Sequence, residues 1–381
     1  MIKKLCVLSA FYPSAADPYY AFVGALVEAF ADSGIECHVI TPVPWFEKAH
    51  PAQTREERTV NGAVVKVYCP RCCVYPYRKI GGLNTFKLTA RSRYNAIRRA
   101  YKRYVGDCDA IYSHFIANAG IYAAMLGKEF RKPTFMALGE SALEKSAFAY
   151  DPYRSLLRNG FNGIVAVSSP LKEETRRLGL VSEDTPIEVF PNATDLDVFR
   201  PRDRAEARRA LGLKDEFVVG FVGGFIKRKG FGTLQRVIAR HPDWKAILIG
   251  KGTEEPLILP PSQQAFVGRV EHAEIPRYLS AADVFALPTH AEGCCNAIVE
   301  ALACGLPVVS SDRSFNDDLL TDDCSLRVDP TDESALERAL VELSESGNKR
   351  ASFAQAAFAR AQNFSIENRA KNIVNFMERN S

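Results

Sequence analysis

The chain has 381 residues, 47% of them hydrophobic and 25% charged, with a formal net charge of +4. This is a globular composition with room for two domains of about 150–200 residues each. It excludes a disordered, collagen-like or coiled-coil chain, and so mild a charge does not call for a nucleic-acid partner.

Met1 to Ala10 carry two lysines and a short apolar run, which resembles a signal peptide. The run stops at Tyr12-Pro13 and leads into a helical pattern, so it reads as a first buried strand. Residues 37–41, 64–68, 110–113, 134–137 and 163–168 are further short, apolar, β-branched stretches. Helical patterns, 21–33 and 117–130 among them, separate most of these. Alternating strands and helices with buried apolar strands predict a parallel, doubly wound sheet. The pattern restarts after Asp195, where residues 218–221, 246–249, 264–266, 284–287 and 308–310 predict a second parallel sheet. The class is therefore α/β, with Rossmann-like domains at 1–196 and 197–364. A last amphipathic helix, 365–381, has Ser365 as its cap. Two facing sheets of this kind leave a cleft outside the carboxyl ends of their strands, where ligands bind. The chain has no Gly-x-Gly-x-x-Gly and no Walker lysine, which argues against a dinucleotide enzyme or an ATPase.

Two segments carry chemistry of other kinds on first inspection. Cys69, Cys72 and Cys73 have a metal-like spacing, but no second pair or nearby histidine completes a tetrahedral site. The ten cysteines are read as reduced, small apolar residues. The stretch 78–103 holds Arg78, Lys79, Lys87, Arg91, Arg93, Arg98, Arg99, Lys102 and Arg103 and no acid. Ala90, Tyr94, Ile97, Tyr101 and Tyr104 fall three or four apart within it. A basic helix over 87–104 with an aromatic face predicts contact with an anionic membrane surface. The same spacing also fits a core-facing stripe with a solvated basic face. No apolar run reaches about 18 residues, so no spanning helix is expected. The expected location is cytoplasmic, with peripheral attachment to the inner face of the membrane through that helix.

The most informative stretch is residues 288–311. A strand ends at Leu287 and enters a polar loop holding one carboxylate, Glu292. A helix beginning near Asn296, a good cap residue, carries a second carboxylate, Glu300. Gly305 can end the helix, and Pro307 prevents its continuation. The amides of Gly293, Cys294, Cys295 and Asn296 then converge with the helix N-terminus on one spot suited to phosphate. Gly223-Gly224 after an earlier strand permits close approach to a diphosphate, with Arg228 and Lys229 supplying charge. Phosphate and hydroxyl recognition together describe a nucleotide sugar. Further on, Phe315-Asn316-Asp317-Asp318 is read as a helix capped by Asn316, and not as a metal-binding acidic pair.

Glu292 and Glu300 resemble the glutamate–seven residues–glutamate motif of the retaining glycosyltransferases of family four, which have the GT-B fold. Val222-Gly223-Gly224-Phe225 with Lys229-Gly230 resembles that family's phosphate loop. Phe190-Pro191-Asn192-Ala193-Thr194-Asp195 resembles its interdomain signature, and Phe266-Val267-Gly268-Arg269-Val270 the strand beside its nucleotide base. The resemblance implies that Glu300 holds the ribose, Glu292 meets the donor sugar and Arg269 lies by the base. Lys229 and Arg228 then stabilise the leaving diphosphate. Ser113-His114-Phe115 and Leu138-Gly139-Glu140-Ser141 end strands that would face the cleft, so His114 and Glu140 are candidate catalytic residues, His114 being read equally as a strand-end histidine with a structural hydrogen bond. The resemblance implies a retaining transfer from a nucleotide-diphosphate sugar to a glycan or lipid-linked glycan in cell-surface polysaccharide synthesis, without metal or other cofactor. Three positions depart from the family. Gly224 stands where an arginine is usual, Leu138 where a histidine is frequent, and Asp17-Pro18-Tyr19-Tyr20 near the usual double glycine. A catalytically silent nucleotide-sugar-binding partner and a nucleotide-sugar epimerase on the same fold are the alternative readings.

Overall fold

The computed structural model describes residues 1–14, 20–47, 55–59, 61–76, 79–80, 83–254 and 256–381. Asp17, Pro18, Tyr19 and Arg78 lie outside the described residues, as does the side chain of Lys79. The chain folds as two compact units, Met1–Phe190 with Glu367–Ser381, and Pro191–Ile366. It crosses between them at Phe190–Pro191 rather than at 196–197, and returns after Ile366.

The first unit is built on an eight-stranded sheet. Its strands are β1 (Lys4–Leu8), β2 (Glu36–Ile40), β3 (Arg55–Arg58), β4 (Val64–Tyr68), β5 (Ala110–His114), β6 (Thr134–Leu138), β7 (Gly163–Ala166) and β8 (Ile187–Val189). Their order is β8-β7-β6-β5-β1-β2-β4-β3. Every pairing is parallel except β3 on β4. The lysine-flanked start of the chain is a central strand: Leu5, Cys6, Val7 and Leu8 are buried between β2 and β5. Strand β3 reads Arg-Glu-Glu-Arg and has no apolar signal. Its charges suit an exposed sheet edge, where they discourage further pairing.

The second unit holds β9 (Val218–Val222), β10 (Lys245–Ile249), β11 (Gln264–Gly268), β12 (Val284–Leu287), β13 (Val308–Ser311) and β14 (Ser325–Val328). They form one parallel sheet in the order β11-β10-β9-β12-β13-β14. Asn316 does not cap a helix. It is fully buried and its Nδ2 donates 2.7 Å to the Ser311 carbonyl, fastening the turn Ser314–Asn316 to the end of β13.

The basic segment forms the helix Thr85–Ala100 and a wider turn, Tyr101–Val105. Its aromatic stripe is not a free face. Ile97 and Tyr101 are buried, and Tyr94 hydrogen-bonds to Glu129 of the helix Ile121–Phe130, which also pairs with Arg98. Tyr104 stacks on Tyr68 with ring centroids 4.7 Å apart. Lys87, Arg91, Arg99, Lys102 and Arg103 remain exposed. Most of the periodic apolar face is thus packed against the unit, while Leu88 and Tyr104 stay exposed among the charges. No helix among the described residues is long and apolar enough to cross a membrane. All ten cysteines are free thiols, and burial raises the pKa of Cys6, Cys37, Cys69 and Cys72.

The last helix, Ile366–Arg379, packs from Glu367 onward in the first unit. Phe376 is fully buried there, with its ring 6.1 Å from Phe135 and 6.0 Å from Phe190. A Cβ at Gly163 would come within 2.6 Å of the same ring, so a residue without a side chain makes room for it. Phe376→Ala should destabilise the first unit by about 3–5 kcal/mol through lost burial and a residual cavity. Urea unfolding followed by circular dichroism measures this, and an unchanged midpoint would show that the helix is dispensable.

Candidate functional site

In the second sheet the chain moves from β9 to β10 and β11 on one side, then returns to β12 on the other. The loops after β9 and β12 therefore leave the sheet side by side and diverge, the arrangement in which open parallel sheets bind ligands. The loop after β9 carries Gly223, Gly224 and a tight turn, Lys227–Lys229, before the helix Phe231–Ala239. Gly230 joins turn to helix at φ 68°, and a Cβ there would lie 2.2 Å from the Pro288 carbonyl oxygen. Only glycine permits that approach. It presses the basic turn against the loop after β12, and the His290 amide donates 2.8 Å to the Arg228 carbonyl.

Glu292 joins the two loops. Its Oε1 lies 2.6 Å from Lys229 Nζ and 3.1 Å from Arg228, and accepts a 2.8 Å hydrogen bond from the Thr289 hydroxyl. Arg228 also donates 2.6 Å to the Ala291 carbonyl. The carboxylate is 11% exposed, Lys229 15% and Arg228 40%. Burial alone would lower the Lys229 pKa, but the facing Cys295 and Glu292 outweigh it and hold the ammonium above its ordinary value. Lys229 is thus held as a cation against Glu292. Gly224 is not required by the backbone, since a Cβ there meets only Ile226 at 3.7 Å. The charge absent from position 224 is present at Arg228, against Glu292.

The helix after this loop is Asn296–Ala303. Its cap is Cys295, with extended backbone, and not Asn296, which is the first helical residue. The Asn296 Oδ1 is buried without a hydrogen-bond partner. Gly293 and Cys295 are buried, and Cys294 is held by Asn192, whose amide side chain donates 3.1 Å to the Cys294 carbonyl. In the first turn the Ile298 amide bonds back to the Cys295 carbonyl at 3.2 Å, and the amides of Ala297 and Ile298 also face the Cys295 sulfur. Gly305, at φ 71°, ends the helix as the sequence predicts.

Glu300 is 6% exposed on this helix, and its Oε1 meets His272 Nε2 at 2.8 Å. His272 opens the turn after β11, and its ring packs 4.9 Å from Phe199. Nothing in the spacing of the chain links positions 272 and 300, so the histidine escaped the sequence reading. Burial lowers the His272 pKa, but the hydrogen bond and charge of Glu300 reverse this and raise it overall. Arg269 is exposed at the end of β11, with no ion-pair partner among the described residues.

His114 and Glu140 belong to the first unit, at the carboxyl ends of β5 and β6. His114 is 4% exposed between Phe22 and Tyr112, and neither ring nitrogen has a hydrogen-bond partner among the described residues. Burial, reinforced by Arg369, drives its pKa down to about 3, so it is a neutral core imidazole and not a general acid. Glu140 accepts hydrogen bonds from the amides of Ile116 at 2.7 Å and Gly139 at 3.0 Å. Burial pushes its carboxyl up to about 7 against the pull of those amides. Its present work is to anchor the turn after Phe115, a non-glycine residue at φ 68°.

Comparison with known proteins matches the description Glycosyltransferase Family 4 over residues 21–198, and Glycosyl transferases group 1 over residues 203–360. A putative teichuronic acid biosynthesis glycosyltransferase of Bacillus subtilis, TuaC, is 26% identical over 356 residues, covering 88% of each chain. A GDP-mannose-dependent monoacylated alpha-(1-6)-phosphatidylinositol monomannoside mannosyltransferase of Corynebacterium glutamicum is 30% identical over 195 residues, 46% of this chain and 51% of its own. Among solved structures, a sucrose-phosphate synthase of Thermosynechococcus elongatus has a TM-score of 0.76 at 20% identity, covering 99% of this chain and 98% of its own. HepE of Anabaena, solved in complex with UDP, has a TM-score of 0.73 at 17% identity, covering 99% and 100%. At these identities the structural likeness is one of fold.

The His272–Glu300 pair carries a pH signature. A histidine pKa raised on folding means that the folded chain takes up a proton. The pair's contribution to stability is then complete below about pH 6.5 and is lost as pH rises through the folded value. The stability difference between wild type and His272→Gln should be largest near pH 6 and shrink toward about pH 9. Urea unfolding at both pH values measures it, and a difference independent of pH contradicts the pairing.

Proposed function

Because the chain belongs to the GT-B glycosyltransferases of group 1, we propose that it transfers a sugar, with retained anomeric configuration, from a nucleotide-diphosphate donor to a hydroxyl of a glycan or lipid-linked glycan. The observation that carries this reading is the Glu292 carboxylate held between Lys229 and Arg228 at the strand-order reversal, one helix ahead of the buried Glu300. The donor diphosphate lies against the Lys229–Gly230 turn and the amides of residues 293–296, where two fixed cations and a helix N-terminus favour an anion. Glu300 accepts from the ribose diol, Arg269 lies by the base, and Glu292 faces the sugar. The orphaned Asn296 Oδ1 supports a polar ligand at this place.

Chemistry follows from charge. As the bond from the anomeric carbon to the diphosphate oxygen breaks, negative charge grows on the leaving group beside Lys229 and Arg228. Preorganised cations stabilise that charge more than the ground state. The acceptor oxygen enters from the same face, and its proton passes to the departing diphosphate, so no protein nucleophile is needed. His114, buried and neutral, has no part in this scheme, and Glu140 acts by shaping the acceptor side. No metal takes part in the proposed step, because the two side chains supply the cationic charge.

The relatives support the donor class: one is named for GDP-mannose and one was solved with UDP. The relative named for teichuronic acid synthesis supports a role in cell-surface polysaccharide. A cytoplasmic enzyme with a lipid-linked acceptor would be held at an anionic membrane by Lys87, Arg91, Arg99, Lys102 and Arg103 through charge alone, about 1 kcal/mol each and fading with salt.

Release of nucleoside diphosphate from UDP- and GDP-sugars tests the proposal. Lys229→Ala should lower turnover at least a hundredfold, in line with the loss of about 2.7–4 kcal/mol on removing one preorganised donor. The chelator EDTA should leave the wild type unchanged. Wild-type turnover in the variant would refute the assignment of Lys229, and loss in EDTA restored by magnesium would refute the metal-free step.

A further inference from the structure

The first sheet has its own reversal of strand order, with β1 between β2 and β5. The carboxyl ends of β1, β2 and β4 open there onto a cavity of about 120 Å³. Tyr12, Thr41, Glu47, Arg55, Arg93 and Asn118 are among its lining residues. The volume equals roughly four waters, enough for a carboxylate or phosphate head but not for the twelve or so heavy atoms of a hexose.

The walls are unusually short of partners. Tyr12 is 2% exposed, and its hydroxyl has none among the described residues. The guanidinium of half-buried Arg93 reaches the Cys72 thiol and the Tyr122 hydroxyl, but its Nε is buried without an acceptor among the described residues, and no carboxylate among them pairs with it. Arg55 differs: it pairs with Glu57 at 2.5 Å, donates 2.9 Å to the Pro13 carbonyl and lies 5.9 Å above the Tyr12 ring. Glu47, the one acid among the described lining residues, forms an ion pair with neither arginine. A cation without a countercharge, one buried N–H of which has no acceptor, and a buried hydroxyl without a partner are costly unless a ligand supplies the acceptor. A small oxyanion satisfies both at once, because guanidinium and phenol are donors in this setting.

We propose that this cavity seats an anionic group of the acceptor, a carboxylate or a phosphate, with Arg93 as its counter-ion and the Tyr12 hydroxyl as a second donor. The word acceptor rests on the transferase reading; the anion site itself does not. The cavity thereby selects an acidic acceptor residue over a neutral one, since a neutral sugar leaves Arg93 without a countercharge.

Calorimetric titration of the full chain with glucuronate, inorganic phosphate and neutral glucose tests this. Arg93→Gln should weaken binding of the recognised anion at least tenfold, as expected for a lost hydrogen bond to a charged group. Arg93→Lys should restore part of it, and Tyr12→Phe should weaken it severalfold. Lys229→Ala, in the other unit, removes phosphate binding at the diphosphate turn, and the Arg93-dependent binding should persist in that background. A response to glucuronate identifies a carboxylate site, and a response to phosphate a phosphate site. Circular dichroism of each variant checks folding, and Tyr12→Phe and Arg93→Lys keep the test open should Arg93→Gln misfold. Binding of both anions unaltered in the Arg93 and Tyr12 variants, or no binding to the wild type at millimolar concentration, overturns the proposal. Anion binding through Arg93 in a protein that releases no nucleoside diphosphate from any donor would refute the transferase reading and leave this site standing. Donor turnover with no anion site would do the reverse.

Discussion

Glu292 is the point on which the second unit's functional geometry turns. Its carboxylate ties the basic turn after β9 to the loop after β12, in a place where the sheet order forces those two loops apart. Without an acid there, Lys229 would be a mostly buried ammonium against a neighbouring arginine. Breaking such a pair leaves an uncompensated charge and costs about 3–5 kcal/mol. The acid therefore lets two cations be concentrated in advance of any ligand. The glycine at 230 is the backbone counterpart of the same constraint, since any side chain there would push the turn off Pro288.

That arrangement has a chemical consequence. Cations already fixed in position need no reorganisation when charge develops beside them, which is what makes such sites effective. The second carboxylate, Glu300, is managed in the same manner by His272, so neither acid waits bare in the unliganded protein. On the proposed reading, each pair exchanges protein for ligand contacts when a nucleotide arrives. The proposed phosphate end then has lysine and arginine, and the proposed ribose end a group that titrates. Donor affinity should then respond to pH at one end only, through the histidine.

Much of this was legible in the chain, for identifiable reasons. Strands buried on both faces announce themselves as apolar runs, and ten predicted strands besides the first all fall on observed ones. Glu292, Glu300 and the Lys229–Gly230 turn were legible because close backbone approach and helix stops leave glycine and proline marks. What escaped depends on pairing across the fold. Strand β3 is charged because it is an edge, and its sequence gives no period-2 apolar signal. The aromatic stripe at Tyr94, Ile97 and Tyr101 looks the same whether it meets a membrane or a sheet, and only the acid at Glu129 and the neighbouring core decide. His272 gains its meaning from a partner distant in sequence, and Arg93 from the lack of a carboxylate beside it among the described residues. Asn296 and Asn316 show the limit of local rules. Cap preference placed both at helix starts, but tertiary contacts made one the first helical residue and the other a clamp on β13.

The central claim is that the loops after β9 and β12 together form a diphosphate pocket. Hydrogen–deuterium exchange of the full chain with and without saturating UDP or GDP tests it most directly. The account predicts that one of the two nucleotides slows exchange in residues 223–231 and 289–300 together, because both segments close on the same ligand. Protection confined to other segments, or to only one of these two, would contradict it.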